Sequence, residues 1–351
     1  MHTAQHPSPS HLQHLDGWRG LAIVGVLVGH FFPIPGINMG RFGVELFFVL
    51  SGRLMADILF VRGESLGRFY WRRFSRVYPT LIVFIIVCMV VTPEELGIQP
   101  SLKSAVAAAT LTLNYLSSMG YSAEVFDHVW SLCIEEHAYL LLGLLTLLWP
   151  TARAHIHVLI FAIAIAFMLN GVRLTYLEHQ DYYATYWRTD VRGAGILFGC
   201  ALQVWRSRSP ALATSVDGKK VVLAAGAALA LSVNPVPDPI KYSIGTAFLA
   251  YALVFLDKAP AMAMAVLRNK VLGYFGLASF SLYLWQQPFS KILSVVSPPV
   301  ALALAVATGL LSFYLVEKRS RKWLNDFANR TFLRRRSDAF RSAPSVNSKG
   351  A

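Results

Sequence analysis

Long apolar runs alternate with short polar stretches along almost the whole chain. A helix needs about 20 residues to cross the core of a bilayer, and the backbone must be helical there because lipid offers no hydrogen-bond partners. The period-2 alternation of membrane strands is absent, so the pattern predicts an all-α, polytopic transmembrane helix bundle. The predicted apolar segments are 15–34, 42–61, 77–92, 102–118, 130–149, 155–172, 191–205, 219–233, 240–257, 271–291 and 298–316.

The basic residues between these segments predict how the bundle is oriented. Loops rich in Lys and Arg face the cytoplasm, and the 93–100 loop is acidic, so we expect that loop outside. The basic clusters are Arg62, Arg68, Arg72, Arg73 and Arg76 after the second segment, Arg206, Arg208, Lys219 and Lys220 after the seventh, and Lys318 to Lys322 and Arg334 to Arg336 after the last.

Eleven full crossings conflict with this orientation, because they would place the basic loops at 62–76 and 206–220 on opposite sides. The segment 102–118 is short, rich in Ala and Thr, and interrupted by Asn114. We expect it to be a re-entrant or interfacial helix on the outer side. About ten crossings then remain in the cell's inner (plasma) membrane, with both termini cytoplasmic.

Composition agrees with a membrane domain. The 351 residues are 55% hydrophobic and 15% charged, against about 25% charged in soluble proteins. The Lys and Arg residues that give the net charge of +13 lie between apolar runs and in the tail. This distribution indicates positive-inside anchoring on lipid headgroups and no nucleic-acid partner. We predict one membrane domain over 15–325, a disordered N-terminal tail over 1–14 and a basic disordered tail over 326–351.

Arg19 and His30 share the first apolar segment and lie 11 positions apart. At 100° per residue both side chains lie on one helix face, about 16 Å apart along the axis. We expect Arg19 near the inner surface and His30 in the outer half. An ionisable residue within a membrane span is costly and by default indicates a function. A snorkelling Arg19 and a His30 that only hydrogen-bonds a neighbouring helix remain the alternative.

Glu135 and Glu136 are adjacent carboxylates just inside the fifth segment. In the predicted topology this segment enters from outside, so Glu135 lies at about the depth of His30. A base and its orienting carboxylate need such proximity. We therefore predict a His30–Glu135 catalytic pair, with a structural ion pair between helices as the alternative.

The basic stretch WRRFSRVYP holds Arg73 and Arg76, which would share a helix face at a spacing of three. Arginine forks suit phosphate oxygens, whereas plain charge anchoring explains the same residues without a ligand. Further polar residues lie beside or inside apolar runs: Arg188, Asp190, Tyr283 and Gln286. An aromatic belt and packing account for Tyr283 but not for Gln286.

These motifs, in their order, resemble the acyltransferase-3 family of membrane acyltransferases over nearly the whole chain. Many members have His where this chain has Gln286, which leaves His30 as the better catalytic candidate. The matched motifs are Arg19 and His30 within LDGWRG…VGH, the stretch Gly43 to Gly52, Arg73 and Arg76 as RxxR, Trp130, Ser131, Leu132 and Glu135 as W-S-L-x-x-E, Ser281 to Pro288 as SLYLW-x-x-P, and Glu317 near the end of the last helix.

The resemblance implies transfer of an acyl group, usually acetyl from acetyl-CoA, to a hydroxyl of a cell-surface or secreted carbohydrate. Acyl-CoA is a co-substrate, and no bound cofactor or metal is expected. We assign His30 and Glu135 to catalysis, with His30 as either a base or a transient acyl carrier. Acyl-CoA binding is assigned to Arg19, Arg73 and Arg76, and substrate binding or support to Asp16, Trp130, Ser131, Arg188, Asp190, Tyr283, Gln286 and Glu317.

The alternative is a transporter or flippase for a small solute or a lipid-linked sugar, because such proteins also carry ionisable residues within their spans. Transporters more often show paired repeats with Gly- or Pro-broken helices. The sequence shows no such repeat, so it favours the acyltransferase.

Overall fold

The computed structural model describes residues 9–148 and 155–341, and within these ranges the chain is helical and contains no strand. The first half holds α1 (Pro9–Phe31), α2 (Met39–Met55), α3 (Leu66–Val91), α4 (Leu102–Ala109), α5 (Leu113–Ser118), α6 (Trp130–Leu148), α7 (Ile156–Tyr176), α8 (Tyr182–Tyr186) and α9 (Thr189–Arg192).

The second half continues with α10 (Ala194–Arg208), α11 (Pro210–Thr214), α12 (Gly218–Leu231), α13 (Asp238–Ile240), α14 (Thr246–Val254), α15 (Ala261–Leu267), α16 (Lys270–Leu277), α17 (Ser279–Ser290), α18 (Pro298–Ser312) and α19 (Lys318–Arg341). Short 3₁₀ and π turns join them at Ala56–Val61, Glu94–Leu96, Glu124–Val129, Lys241–Gly245, Leu256–Lys258 and Phe313–Glu317.

Three helices are long and apolar enough to cross a membrane on length and composition: Leu66–Val91, Ile156–Tyr176 and Pro298–Arg330. The all-helical fold is therefore confirmed, while the number of about ten crossings stays a prediction. Apolar side chains remain exposed on the outside of the bundle, for example Val90 at 78% and Leu169 at 62%. This exposure fits helices that face lipid.

The helices pack closely because glycines line their contacts, as is common in membrane bundles. α1 lies between α2 and α16. A Cβ built on Gly276 of α16 would lie 1.9 Å from the carbonyl oxygen of Asp16, and one built on Gly52 of α2 would lie 1.9 Å from that of Ile196. Any side chain at either position would push the helices apart.

The segment 102–118 forms two short helices, α4 of 8 residues and α5 of 6 residues. At 1.5 Å per residue neither is long enough to span a bilayer core of about 30 Å. They are separated at Leu111, whose φ of 56° breaks the helix. The side chain of Asn114, which we noted as an interruption, donates to the Trp187 carbonyl at 3.2 Å and to the Thr189 hydroxyl at 3.1 Å.

The ends of the chain are more helical than the predicted tails. α1 begins at Pro9, within the predicted N-terminal tail, and α19 continues to Arg341, well past residue 325. Residues 1–8 and 342–351 lie outside the described residues, so the disorder predicted there stays a prediction.

A buried ion pair joins α2 to α9. Glu45 and Arg192 are both buried, and their side chains form a salt bridge. The other oxygen of Glu45 accepts a hydrogen bond from the Thr246 hydroxyl at 2.8 Å. The charge of Glu45, which lies within the matched stretch Gly43 to Gly52, is therefore neutralised within the bundle.

Candidate active site

Two neighbouring cavities collect most of the polar residues that the sequence singled out. The first, the arginine cavity, has a volume of about 290 Å³. Four guanidinium groups and two carboxylates line it beside an apolar wall from α2. These charged residues are Arg19, Arg72, Arg73, Arg76, Glu64 and Glu135.

The arginines of this cavity differ in how they are neutralised. Arg73 donates to Glu135 at 2.7 Å and to Glu136 at 2.5 Å. Arg19 pairs with Asp16 at 3.1 Å, and Arg72 pairs with Glu64 at 3.1 Å. Arg76 makes no salt bridge to any of the described residues. It is therefore the arginine in this cavity that is best able to bind an added anion.

The structure does not bring the predicted pair of His30 and Glu135 into contact. The carboxylate of Glu135 accepts from Arg73 and from the Tyr139 hydroxyl at 3.0 Å, and it lines the arginine cavity rather than the cavity of His30. The half-buried guanidinium of Arg73 needs a counter-charge within the bundle. The interhelical ion pair that we kept as the alternative is thus what the structure contains.

His30 lines a second cavity of about 230 Å³, the histidine cavity, near the C-terminal end of α1. Asp127 and His128 line it from the turn before α6, and Gln287 lines it from α17. Asp127 also pairs with Lys291 at 3.2 Å. Burial raises the pKa of the Asp127 carboxyl above its ordinary value, although Lys291 and the Ala123 amide oppose this shift.

The orienting partner of His30 is Gln286. The His30 Nδ1–H donates to Gln286 Oε1. The Gln286 amide nitrogen donates in turn to Gln287 Oε1 at 3.3 Å, and that of Gln287 donates to the Glu124 carbonyl at 3.5 Å. Because each amide donates onward, Gln286 Oε1 is left to accept from His30. The proton then lies on Nδ1, and Nε2 is free to accept one.

Tyr283 stands between the two cavities. Its side chain and that of Val44 line both of them. The Tyr283 hydroxyl donates to the His128 carbonyl at 2.8 Å and is also hydrogen-bonded to the Ser131 hydroxyl at 2.7 Å. Ser131 lines the arginine cavity, whereas Trp130 lines the histidine cavity. The W-S-L-x-x-E motif thus contributes to both sides of one partition.

The remaining predicted residues divide into supporting and distant ones. Glu317 is buried at 1% exposure and accepts from the Ser281 hydroxyl at 2.6 Å, so it joins the last membrane helix to α17. Arg188 and Asp190 pair with each other at 2.7 Å and line neither cavity. Asp190 instead accepts from Asn170 of α7 at 3.0 Å, which indicates a structural role for this pair.

Sequence reasoning missed several residues of the histidine cavity. His128 is two residues before the Trp130 motif, and Gln287 follows Gln286, so proximity to a motif was the available signal. Arg41, Tyr182 and Tyr186 also line the cavity. They come from two stretches that are far apart in the chain, and no local pattern connects them.

The chain is similar to a known protein family and to several known proteins. The family model described as an acyltransferase domain, that of acyltransferase-3 proteins, matches residues 12–317. The chain is 28% identical over 363 residues to peptidoglycan O-acetyltransferase OatA of Listeria monocytogenes, covering 92% of this chain and 57% of that protein. It is 29% identical over 312 residues to O-acetyltransferase OatA of Staphylococcus aureus, covering 80% of this chain and 51% of that protein.

The chain therefore spans about half the length of these relatives. No solved structure matches it. The family match covers both cavities, the partition between them and the apolar helices that face lipid. The chain is an integral membrane protein and belongs to the acyltransferase-3 family.

Proposed function

We propose that this protein transfers an acetyl group from cytoplasmic acetyl-CoA to a hydroxyl of a cell-envelope glycan outside the inner (plasma) membrane, with peptidoglycan as the first candidate acceptor. The similarity to two O-acetyltransferases, one of them a peptidoglycan O-acetyltransferase from Listeria, supports this choice of group and acceptor. The observation that carries the proposal is the pair of cavities separated by Tyr283: one is rich in arginine, and the other contains His30.

The proposed topology keeps about ten crossings with both termini in the cytoplasm. Loops that the charge pattern assigns to the outside touch one another: Ile37 forms a bridge with Val233, Lys291 pairs with Asp127, and Asn114 bonds Trp187. The short lengths of α4 and α5 support a segment that does not cross. In this topology the arginine cavity faces inward, and the histidine cavity faces outward.

The arginine cavity is the proposed donor site. CoA carries phosphates, which accept bidentate hydrogen bonds from guanidinium groups. Arg76 has no salt bridge within the described chain and would bind a phosphate directly, while Arg19 adds further positive charge. The apolar wall formed by Phe47, Leu50 and Leu54 suits the pantetheine arm, which must cross a region without water.

His30 is the proposed general base. Its Nε2 would take the proton of the acceptor hydroxyl while the oxygen attacks the thioester carbonyl. The carbon–sulfur bond breaks, the ester forms, and the proton passes from Nε2 to the departing thiolate to give free CoA. Gln286 keeps the Nδ1–H tautomer throughout. Glu135 has a different proposed role from the one first predicted: it holds Arg73 in the donor cavity.

The test uses membranes that contain the full chain, acetyl-CoA labelled in the acetyl group, and oligosaccharides prepared from peptidoglycan. Label should enter an alkali-labile ester on the sugar, and mass spectrometry should show one added acetyl group. Membranes with His30→Ala at equal protein level should show none. Transfer that is independent of His30 would contradict the proposed role of His30. Movement of intact sugar across the membrane without acetylation would contradict the proposed function and favour the transporter alternative.

A further inference from the structure

A third cavity lies beside the histidine cavity, and neither the family motifs nor the proposed chemistry uses it. This tyrosine cavity has a volume of about 460 Å³, within the range of small-molecule sites. The end of α7, the α8 turn and the 237–242 stretch form its walls. In the proposed topology these elements lie at the outer surface.

The tyrosine cavity is connected to the histidine cavity by two rings. Tyr182 and Tyr186 line both, and their rings stack with centroids 4.9 Å apart at an angle of 23°. Tyr186 is only 6% exposed, so it does not belong to a lipid-facing aromatic belt. A ligand in the tyrosine cavity would therefore lie next to a ligand bound beside His30.

The charges of the cavity favour a neutral ligand. Asp181 and Asp238 line it, and Arg192 is the basic residue in its lining. Arg192 is already neutralised by its buried salt bridge with Glu45, and Asp238 pairs with Lys241 at 3.2 Å. Asp181 makes no salt bridge to the described residues, so a phosphate would meet its unpaired carboxylate, and a neutral ligand fits better.

The lining also holds polar groups that lack partners. The Tyr182 hydroxyl, the Thr185 hydroxyl and the Nε of Arg192 make no hydrogen bond to other described residues, although each of these atoms is buried. Arg192 itself is 2% exposed. Buried polar groups are normally satisfied, so orphaned ones on a cavity wall indicate a ligand with several donors and acceptors. A neutral ligand with many hydroxyl groups is a sugar.

We propose that the tyrosine cavity is a second sugar subsite, which binds the neutral saccharide unit next to the unit whose hydroxyl is acylated beside His30. This inference rests on the proposed function and extends it, because it makes the acceptor a chain of at least two sugars. A single sugar would fill the histidine cavity and leave the subsite empty.

The experiment compares N-acetylmuramic acid with the disaccharide in which N-acetylglucosamine is attached to it, using the full chain in detergent with acetyl-CoA. In the wild type, the acceptor KM should be about tenfold lower for the disaccharide, as expected for one or two hydrogen bonds to buried groups. Thr185→Val and Tyr182→Phe each remove a hydroxyl and should raise the disaccharide KM towards that of the monosaccharide. The KM for acetyl-CoA should not change.

Tyr115→Phe is the matched control, because it removes a tyrosine hydroxyl outside the three cavities. Equal KM values for the two acceptors in an active wild type, or unchanged values in both variants, would overturn the subsite and leave the proposed function standing. The subsite would also be overturned if Thr185→Val changed how activity depends on added phosphatidylglycerol but left the acceptor KM values unchanged. The cavity would then hold a lipid. A wild type that acetylates neither sugar would remove the proposed function and the subsite together.

Discussion

The imidazole of His30 donates a hydrogen bond through Nδ1 to the side-chain oxygen of Gln286, from a helix more than 250 positions away in the chain. The second amide, that of Gln287, fixes which way Gln286 faces. In many catalytic histidines a carboxylate accepts this bond and stabilises the protonated ring. A neutral amide sets the tautomer but adds no negative charge. His30 therefore has an oriented Nε2 and, among the described residues, no ion-pair partner.

Gln286 is expected to act by positioning His30. Gln286→Leu keeps the volume and removes the acceptor, so kcat should fall about tenfold to a hundredfold, the cost of losing an orienting partner. Gln286→Glu restores an acceptor and adds charge, so the acidic limb of the pH–rate profile should move to higher pH. Steady-state kinetics with acetyl-CoA across pH measure both effects. A leucine variant with wild-type kcat would mean that the bond only packs the helices together.

The structure predicts different outcomes for two neighbouring arginines. Arg76 has no salt bridge among the described residues, so Arg76→Lys should raise the KM for acetyl-CoA about tenfold and leave thermal stability unchanged. Arg73 is paired with two carboxylates, so Arg73→Gln should destabilise the protein by about 3–5 kcal/mol. Kinetics and thermal unfolding in detergent separate the two. An unstable Arg76→Lys variant with an unchanged KM for acetyl-CoA would indicate that Arg76 only anchors the loop through its charge.

Tyr283 is expected to control passage between the cavities. Tyr283→Ala removes the ring that lines both, so water should reach the thioester, and hydrolysis of acetyl-CoA should rise relative to transfer. Tyr283→Phe keeps the ring but loses the bonds to Ser131 and to the His128 carbonyl, and it should show a smaller change. Release of CoA thiol, measured with and without acceptor, gives this ratio. An unchanged ratio in the alanine variant would place the acyl path elsewhere.

The topology predicts that reporter fusions at Glu95 and at Ser122 both lie outside the membrane. They flank the two short helices α4 and α5, which are too short to span. A fusion at Arg208 should report the cytoplasm and serves as the control for orientation. A cytoplasmic signal at Ser122 would mean that the 102–118 segment crosses, and the outward-facing histidine cavity would have to be reassigned.

Much of the fold follows from local rules, and much of the site does not. Apolar runs predict helices because lipid leaves the backbone no other partner, and Asn114 marked the break in the 102–118 segment for the same reason. The depth of Glu135 was also inferred from its position in a segment. The ion-pair partner of Glu135 could not be inferred, because depth along a helix does not determine which neighbouring helix faces a side chain. Arg73, three residues before Arg76, takes that carboxylate.

The histidine cavity shows the same limit. Gln286 was noted as a polar residue with no packing explanation, and its contact with His30 supplies that explanation. The pairing joins the first helix to α17 through tertiary packing, and no spacing in the sequence encodes it. Tyr182 and Thr185 lie in the short helix α8, which has no long-range sequence signal. Their orphaned hydroxyls can be recognised only once the surrounding walls are known.

The proposed mechanism requires His30 to accept the proton of the acceptor hydroxyl, which can be measured as single-turnover acetyl transfer by His30→Gln, with saturating acetyl-CoA and a peptidoglycan oligosaccharide. Gln can keep a hydrogen bond to Gln286 but cannot accept a proton at neutral pH. The transfer rate should fall about a hundredfold to ten-thousandfold, with unchanged binding of acetyl-CoA and no acetylated protein in the wild type by mass spectrometry. A His30→Gln variant that transfers acetyl at a near-normal rate would contradict the proposed mechanism.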